Sequence, residues 1–215
     1  KLLFALHDGL FVEGVIIPGR EGEGTQCISS QVGCPFDCTF CRTGSMGLRR
    51  NCSVSEILPQ RVLADAALNP GEQLRRLVFM GMGEPLSNFD ALIPALGLLL
   101  GPKGMGFGPR RITVSTAGWP GRMLELRQRT GVQLAISLGG STEDQRAQLM
   151  PRAARRASLA EILAECRSIP MATTEQLTFE MVMVAGVNDR DEDARRLLRL
   201  TAGLRCKVNL IPLNE

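Results

Sequence analysis

Cys34, Cys38 and Cys41 stand in the pattern C-x3-C-x2-C, and Cys27 lies seven residues before the first of them. A tight loop with that spacing turns three thiolates toward one centre, with Phe40 beside them to limit water. Three thiolates suit iron. A structural zinc site closes with four ligands, whereas a 4Fe-4S cubane held by three cysteines leaves one iron open to a substrate. Cys27 as a fourth ligand keeps zinc available as a second reading. Farther on, "GMGEP" (residues 81–85) puts glycines where backbone can approach a ligand closely, Gly83 among them, and Glu84 can accept hydrogen bonds from an ammonium group. An open iron beside a carboxylate that recognises an amine predicts S-adenosylmethionine as the ligand. Ser115 and Ser137 are expected to reach its carboxylate or ribose hydroxyls, or else to bond backbone as strand serines do.

Those residues act together only if the fold gathers them. "LLFAL" and "LFVEGVII" flank "HDG", a hairpin signal. Six β-rich runs follow: "TQCISSQVG", "RRLVFMGMG", "RRITVSTAG", "VQLAISLGG", "LTFEMVMVAG" and "CKVNLIPLN". Between them lie helical patterns such as "SVSEILPQRVLADAAL", opened by a Ser53/Glu56 capping pair and expected to kink or shift its start at Pro59. Alternating β and α units imply parallel strands with right-handed crossovers, in an open doubly wound sheet or a barrel. In either, the ligand site lies at the carboxyl ends of the strands. The three loop cysteines, Gly83, Glu84, Ser115, Thr116, Ser137, Asn188 and Asn214 all fall there. The expected architecture is α/β, a partial TIM-type (β/α)6 barrel over residues 25–215, preceded by a β-hairpin extension over residues 1–24.

Composition narrows the class. The chain of 215 residues is long enough for one domain with a sizeable core. Its longest apolar run, "ALIPALGLLL", is shorter than the roughly 18 residues of a membrane span, so no membrane role is expected. Nothing resembles a secretory leader, and seven cysteines, an odd count, do not form a disulfide framework; a cytoplasmic protein with metal or redox chemistry is expected. The net charge is only +3, but 22 of 25 basic residues are arginine, a type suited to phosphate contacts. Arg49, Arg50, Arg110 and Arg111 are candidates for RNA, with solvated surface pairs as the plain alternative. His7, at the hairpin turn, reads as exposed, and Cys166 and Cys206 as core thiols. Lys1 at the start and "NLIPLNE" at the end read as cut termini.

Taken together, "CISSQVGC", the C-x3-C-x2-C loop, "CRTGSMGLRRN", "GMGEPL", "RRITVSTAG", "LAISL" and "CKVNLIPLN" resemble the radical S-adenosylmethionine enzymes that methylate C2 of adenine in 23S ribosomal RNA and transfer RNA. The resemblance runs from about Glu13 to Asn214. It implies a 4Fe-4S cluster on Cys34, Cys38 and Cys41, and S-adenosylmethionine against Gly83, Glu84, Ser115, Ser137, Leu138, Gly139 and Asn214. It implies Glu13 as proton acceptor and Cys27 as the cysteine that resolves a protein–RNA crosslink by forming a disulfide. In the implied mechanism a carrier cysteine is methylated first, a 5'-deoxyadenosyl radical abstracts hydrogen from that methyl, and the carbon radical adds to adenine. An electron donor such as flavodoxin or ferredoxin, and a monomeric state, are implied as well. Two departures stand out. The carrier cysteine belongs to a segment beyond "NLIPLN", so methyl transfer by this fragment is not expected, and Gly139 replaces a common histidine. The sister activity at adenine C8 shares these motifs, Val32 favouring C2 only weakly, and a zinc-stabilised RNA-binding module with Cys27, Cys34, Cys38 and Cys41 around one metal is the non-catalytic alternative.

Overall fold

The Asp-Gly turn forms as expected: β1 (Leu2–Ala5) pairs antiparallel with β2 (Phe11–Ile17). In this computed structural model, which describes residues 1–213, the hairpin adds to the same sheet as the rest, because β2 pairs antiparallel with β3 (Glu23–Cys27). A small ribbon of β4 (Gln31–Val32) and β5 (Arg50–Asn51) brackets the cysteine loop and the one-turn helix α1 (Arg42–Ser45). Regular alternation follows: α2 (Val54–Asp65), β6 (Gln73–Phe79), α3 (Phe89–Leu100), β7 (Ile112–Thr116), α4 (Arg122–Thr130) and β8 (Gln133–Ser137). Three helices, α5 (Glu143–Leu149), α6 (Pro151–Arg156) and α7 (Leu159–Ser168), lead to β9 (Leu177–Met183), α8 (Asp191–Leu200) and β10 (Cys206–Pro212). All six expected strands are present.

The main sheet runs β1-β2-β3-β6-β7-β8-β9-β10, parallel from β3 onward. Spatial order follows chain order with no reversal. A doubly wound sheet needs a switch point, so this is a barrel segment, open between β1 and β10. Right-handed crossovers in one direction place every helix on the same side. Register separates the two faces. Leu77, Phe79, Ile112, Val114, Leu134, Ile136, Leu177, Phe179 and Met181 lie buried beneath the helices. Cys27, Val78 and Thr113 are paired in succession, as are Ser115 with Ala135 and Ser137 with Glu180 and Asn209, so their side chains share the opposite, concave face.

Helix α2 starts at Val54 after its Ser53 cap and continues through Pro59, so of the kink or shifted start expected there the shifted start does not occur. Its neighbour Gln60 helps fix the helix to the sheet: the buried side-chain amide accepts from Ser29 N at 2.9 Å and donates to Ser29 O at 2.9 Å, as a further strand would. At the helix start, Glu56 accepts from Ser53 N at 2.9 Å and receives Arg50 through two bonds of 2.8 and 2.9 Å, while Arg50 also reaches Asp8 at 2.7 Å. The Arg50 guanidinium holds both carboxyls at about 2, below their ordinary range. Groups whose folded values are lowered lend stability above their unfolded values and lose it as pH falls through the folded ones. Acid is therefore expected to loosen the contact between hairpin and α2 as pH drops from about 4.5 toward 2. Glu56→Gln should cost about 1–2 kcal/mol at pH 7 and flatten that acid limb. Urea unfolding at pH 7 and pH 3 checks both, and equal losses at the two pH values would refute the assignment.

Candidate active site

The residues between β4 and β5 form the cysteine loop. Its backbone is closed on itself by Cys34 N to Gly47 O at 3.2 Å and Cys41 N to Cys38 O at 3.0 Å, and tied to the end of α5 by Thr39 N to Leu149 O at 2.9 Å. All three thiols are half-buried and free. Burial pushes Cys34 and Cys38 up to about 12, the cost of placing a thiolate there without a cation. Among the described residues, no three Cys, His, Asp or Glu side chains converge closely enough to share one ion. Three soft thiols on one closed loop are the donor set of a cubane that keeps one iron open, one short of a closed four-ligand zinc site. The loop fits a cluster. The four-cysteine zinc arrangement does not form: Cys27 belongs to β3 and points into the concave face, because neighbouring Gln26 points the other way and donates to Gln60 O at 2.6 Å.

At the carboxyl ends of the strands the concave face holds a cavity of about 150 Å3, lined by Phe40 of the cysteine loop, Met80, Ser115, Ser137, Gly139, Glu180, Val182 and Ile211. Ser115, Ser137 and Gly139 are thus brought together beside the loop. Cys27 lies deeper on the same face, paired with Val78. Glu13 joins it there, because Val15 pairs with Cys27 and Glu13 is two residues from Val15; its carboxylate meets Lys1 Nζ at 2.7 Å.

Glu84 is turned differently from the sequence expectation. It is buried, and its carboxylate accepts from Leu86 N at 3.0 Å and Ala117 N at 2.8 Å rather than lining the cavity. Burial raises its pKa to about 7. Gly83, at φ +104°, lets the chain pass Gln31: a Cβ there would lie 2.6 Å from the Gln31 side chain, whose Oε1 accepts from Glu84 N at 2.8 Å. Leu138 points into the core, its N–H given to Glu180 O and its carbonyl to Arg146. Asn188 also serves the backbone, donating to Gly139 O and Val182 O. Asn214 lies outside the described residues. Of the arginine candidates, Arg50 is taken by Asp8 and Glu56, and Arg110 and Arg111 precede β7 at the end of the sheet away from the cavity. His7 is exposed, bonded to Glu56.

Gly139 has φ +78°, and a Cβ there would lie 2.7 Å from Met150 Sδ. A histidine cannot simply be restored. Gly139→His is expected to cost about 1–3 kcal/mol, read by urea unfolding; unchanged stability would show that the loop relaxes freely.

Sequence reasoning passed over Glu180 and Asn209. Glu180 lies on the concave face of β9, and Asn209 Nδ2 donates to its Oε2 at 2.8 Å. Their signal was available as alternation: a carboxylate in "TFEMVM" and an amide in "KVNLIP", each polar within an apolar run.

A parallel barrel segment carrying a three-cysteine loop beside a polar-lined cavity at its strand ends defines a cofactor-dependent enzyme core. The profile of the radical SAM superfamily matches residues 28–198, and the chain belongs to that superfamily. The superfamily's cofactors are a 4Fe-4S cluster and S-adenosylmethionine. The chain is 45% identical over 217 residues to the dual-specificity RNA methyltransferase RlmN of Syntrophotalea carbinolica, covering 100% of this chain and 57% of that protein. It is 48% identical over 221 residues to the protein of the same name from Anaeromyxobacter dehalogenans, covering 100% and 59%. A crystal structure of a radical SAM methyltransferase from Sphaerobacter thermophilus superposes with a TM-score of 0.91 at 42% identity, covering 99% of this chain and 62% of that one. The chain spans about 60% of the length of such relatives. No helix of the described residues is long and apolar enough to cross a membrane.

Proposed function

We propose that the chain is the catalytic core of an RNA methyltransferase acting at C2 of adenine in 23S ribosomal RNA and transfer RNA, with residues 25–215 as the core and residues 1–24 as a hairpin extension. One observation carries the reading: the cysteine loop and the polar ends of β7 and β8 border a single cavity, with Cys27 and Glu13 on the same concave face. Cys34, Cys38 and Cys41 would hold the cluster, which when bound supplies the electron that cleaves the sulfonium.

The chain's own residues do the rest. Phe40 and Met80 exclude water from the cavity beside the loop. Ser115 and Ser137 present hydroxyls to the carboxylate or ribose of S-adenosylmethionine, the glycines at 83 and 139 let backbone approach it, and Asn214 is taken as a further contact on the resemblance alone. Glu84 holds the peptide at Ala117 in place beside the loop. Glu13, ion-paired to Lys1, accepts the proton from the adenine carbon at its carboxylate, and Cys27 Sγ resolves the protein–RNA crosslink. Cys52 and Cys166 are buried in the helix-side core and Cys206 opens β10 at its amino end, so none of them reaches the cavity as a methyl carrier. An acidic one-electron carrier such as flavodoxin or ferredoxin would serve as reductant to a monomeric cytoplasmic enzyme.

After anaerobic incubation with ferrous iron and sulfide, the chain is expected to turn brown and, with S-adenosylmethionine and dithionite, to release 5'-deoxyadenosine. RNA treated with these residues alone should remain unmethylated. A colourless product, or a loaded protein that forms no 5'-deoxyadenosine, would overturn the reading.

A further inference from the structure

Arg146 is the largest fully buried side chain among the described residues, and every oxygen its guanidinium bonds there is a backbone carbonyl, none a carboxylate. Its guanidinium is spent on neutral carbonyls from three separate segments. Nη2 donates to Ala117 O at 2.6 Å, Nη1 to Leu138 O at 2.9 Å and Ser137 O at 3.1 Å, and Nε to Ala157 O at 3.3 Å. Burying a cation against carbonyls alone is costly, and an apolar side chain of similar volume would pack there without that cost. The charge therefore needs a reason.

Its position supplies one. Ala117 and Ser137–Leu138 are the carboxyl ends of β7 and β8, the strand ends that border the cavity. Ala117 is gripped twice, its carbonyl by Arg146 and its N–H by Glu84. Arg146 also sits one helical turn before Met150, which packs with Leu149 and Ala153 against Cys34, Cys38 and Phe40, and Leu149 O anchors the loop at Thr39. Burial lowers the guanidinium's pKa, and the carboxylates of Glu143 and Glu84 oppose that shift. Reduction adds negative charge to a cluster, and net charge nearby is one of the levers on its potential.

We propose that Arg146 is the positioning residue of the cofactor site: its fork sets the ends of β7 and β8 for S-adenosylmethionine, and its fixed positive charge behind the cysteine loop favours the reduced cluster. The inference rests on the functional reading above. Arg146→Met and Arg146→Lys, reconstituted beside the unaltered chain, separate its parts. Arg146→Met is expected to lower the cluster's midpoint potential in an EPR-monitored titration, making reduction about tenfold harder, about 59 mV for one electron. It should also weaken S-adenosylmethionine in equilibrium dialysis by about tenfold or more, as loss of a supporting shell does. Arg146→Lys should restore the potential but not the affinity, since one ammonium cannot span four carbonyls from three segments. Loss of thermal stability in both variants with potential and affinity unchanged would make Arg146 a structural residue only, and so refute the proposal. If Arg146→Met does not fold, Arg146→Lys with unaltered affinity refutes it equally. Failure of the unaltered chain to take up a cluster would instead bring down the functional reading and this inference with it.

Discussion

Cys38→Ser is expected to abolish cluster loading, taking iron from roughly four atoms per chain to near none after anaerobic reconstitution, whereas Cys27→Ser should keep its full iron content. The contrast follows from placement. Cys38 sits on the closed loop with Cys34 and Cys41, and a serine hydroxyl does not deliver the soft thiolate that iron-sulfur chemistry needs. Cys27 is fixed in β3 by pairing with Val15 and Val78, off the loop. Iron and sulfide content, with the visible charge-transfer band, reads both variants, and unfolding midpoints near that of the parent exclude a folding defect. Loss of bound metal in Cys27→Ser as well as in Cys38→Ser would return the four-cysteine single-metal site.

Glu84→Gln is expected to remove a pH dependence of stability that the iron-free chain shows above the acid limb of the Arg50 cluster and with the opposite sign. Burial raises the Glu84 carboxyl from 4.5 to about 7, against the pull of the donors at Ala117, Thr116 and Leu86. Between those values the folded state binds a proton that the unfolded state does not, so stability falls as pH rises through the window and levels off above about 7. The loss amounts to about 3 kcal/mol, an order-of-magnitude figure from 1.36 kcal/mol per unit. Urea unfolding of the iron-free chain at pH 5, 6, 7 and 8 should show this slope, and Glu84→Gln should lack it. The limb below pH 4.5, which belongs to Glu56 and Asp8, should persist in that variant. A slope that survives in Glu84→Gln would place the titrating group elsewhere.

Much of this molecule could be read from residue order. Turn residues and apolar periodicity are local, and they located the hairpin, all six parallel strands and the capping of α2. Three thiols on one short loop are local too, so the proposed cysteine ligand set needed no fold to be suggested. At Pro59 local propensity says helix break, while Gln60, one residue on, anchors the continuing helix to Ser29 and Gln26 by bonds that cross 31 and 34 residues of sequence. Glu84 was seen as a ligand contact, and only the arrival of Ala117 from another strand showed what occupies its carboxylate.

Chain order thus dictated which elements exist, how they succeed one another and where the thiols cluster, because each of those depends on neighbours a few residues apart. Tertiary packing determined which side of each strand the helices cover, the offset between strands that sets Cys27 and Glu13 on one face, and the partners of Arg146 and Glu84. The physical reason is that alternation groups the side chains of one strand without naming the covered side or the register, and a buried charge finds its acceptors only when distant backbone carbonyls are folded around it.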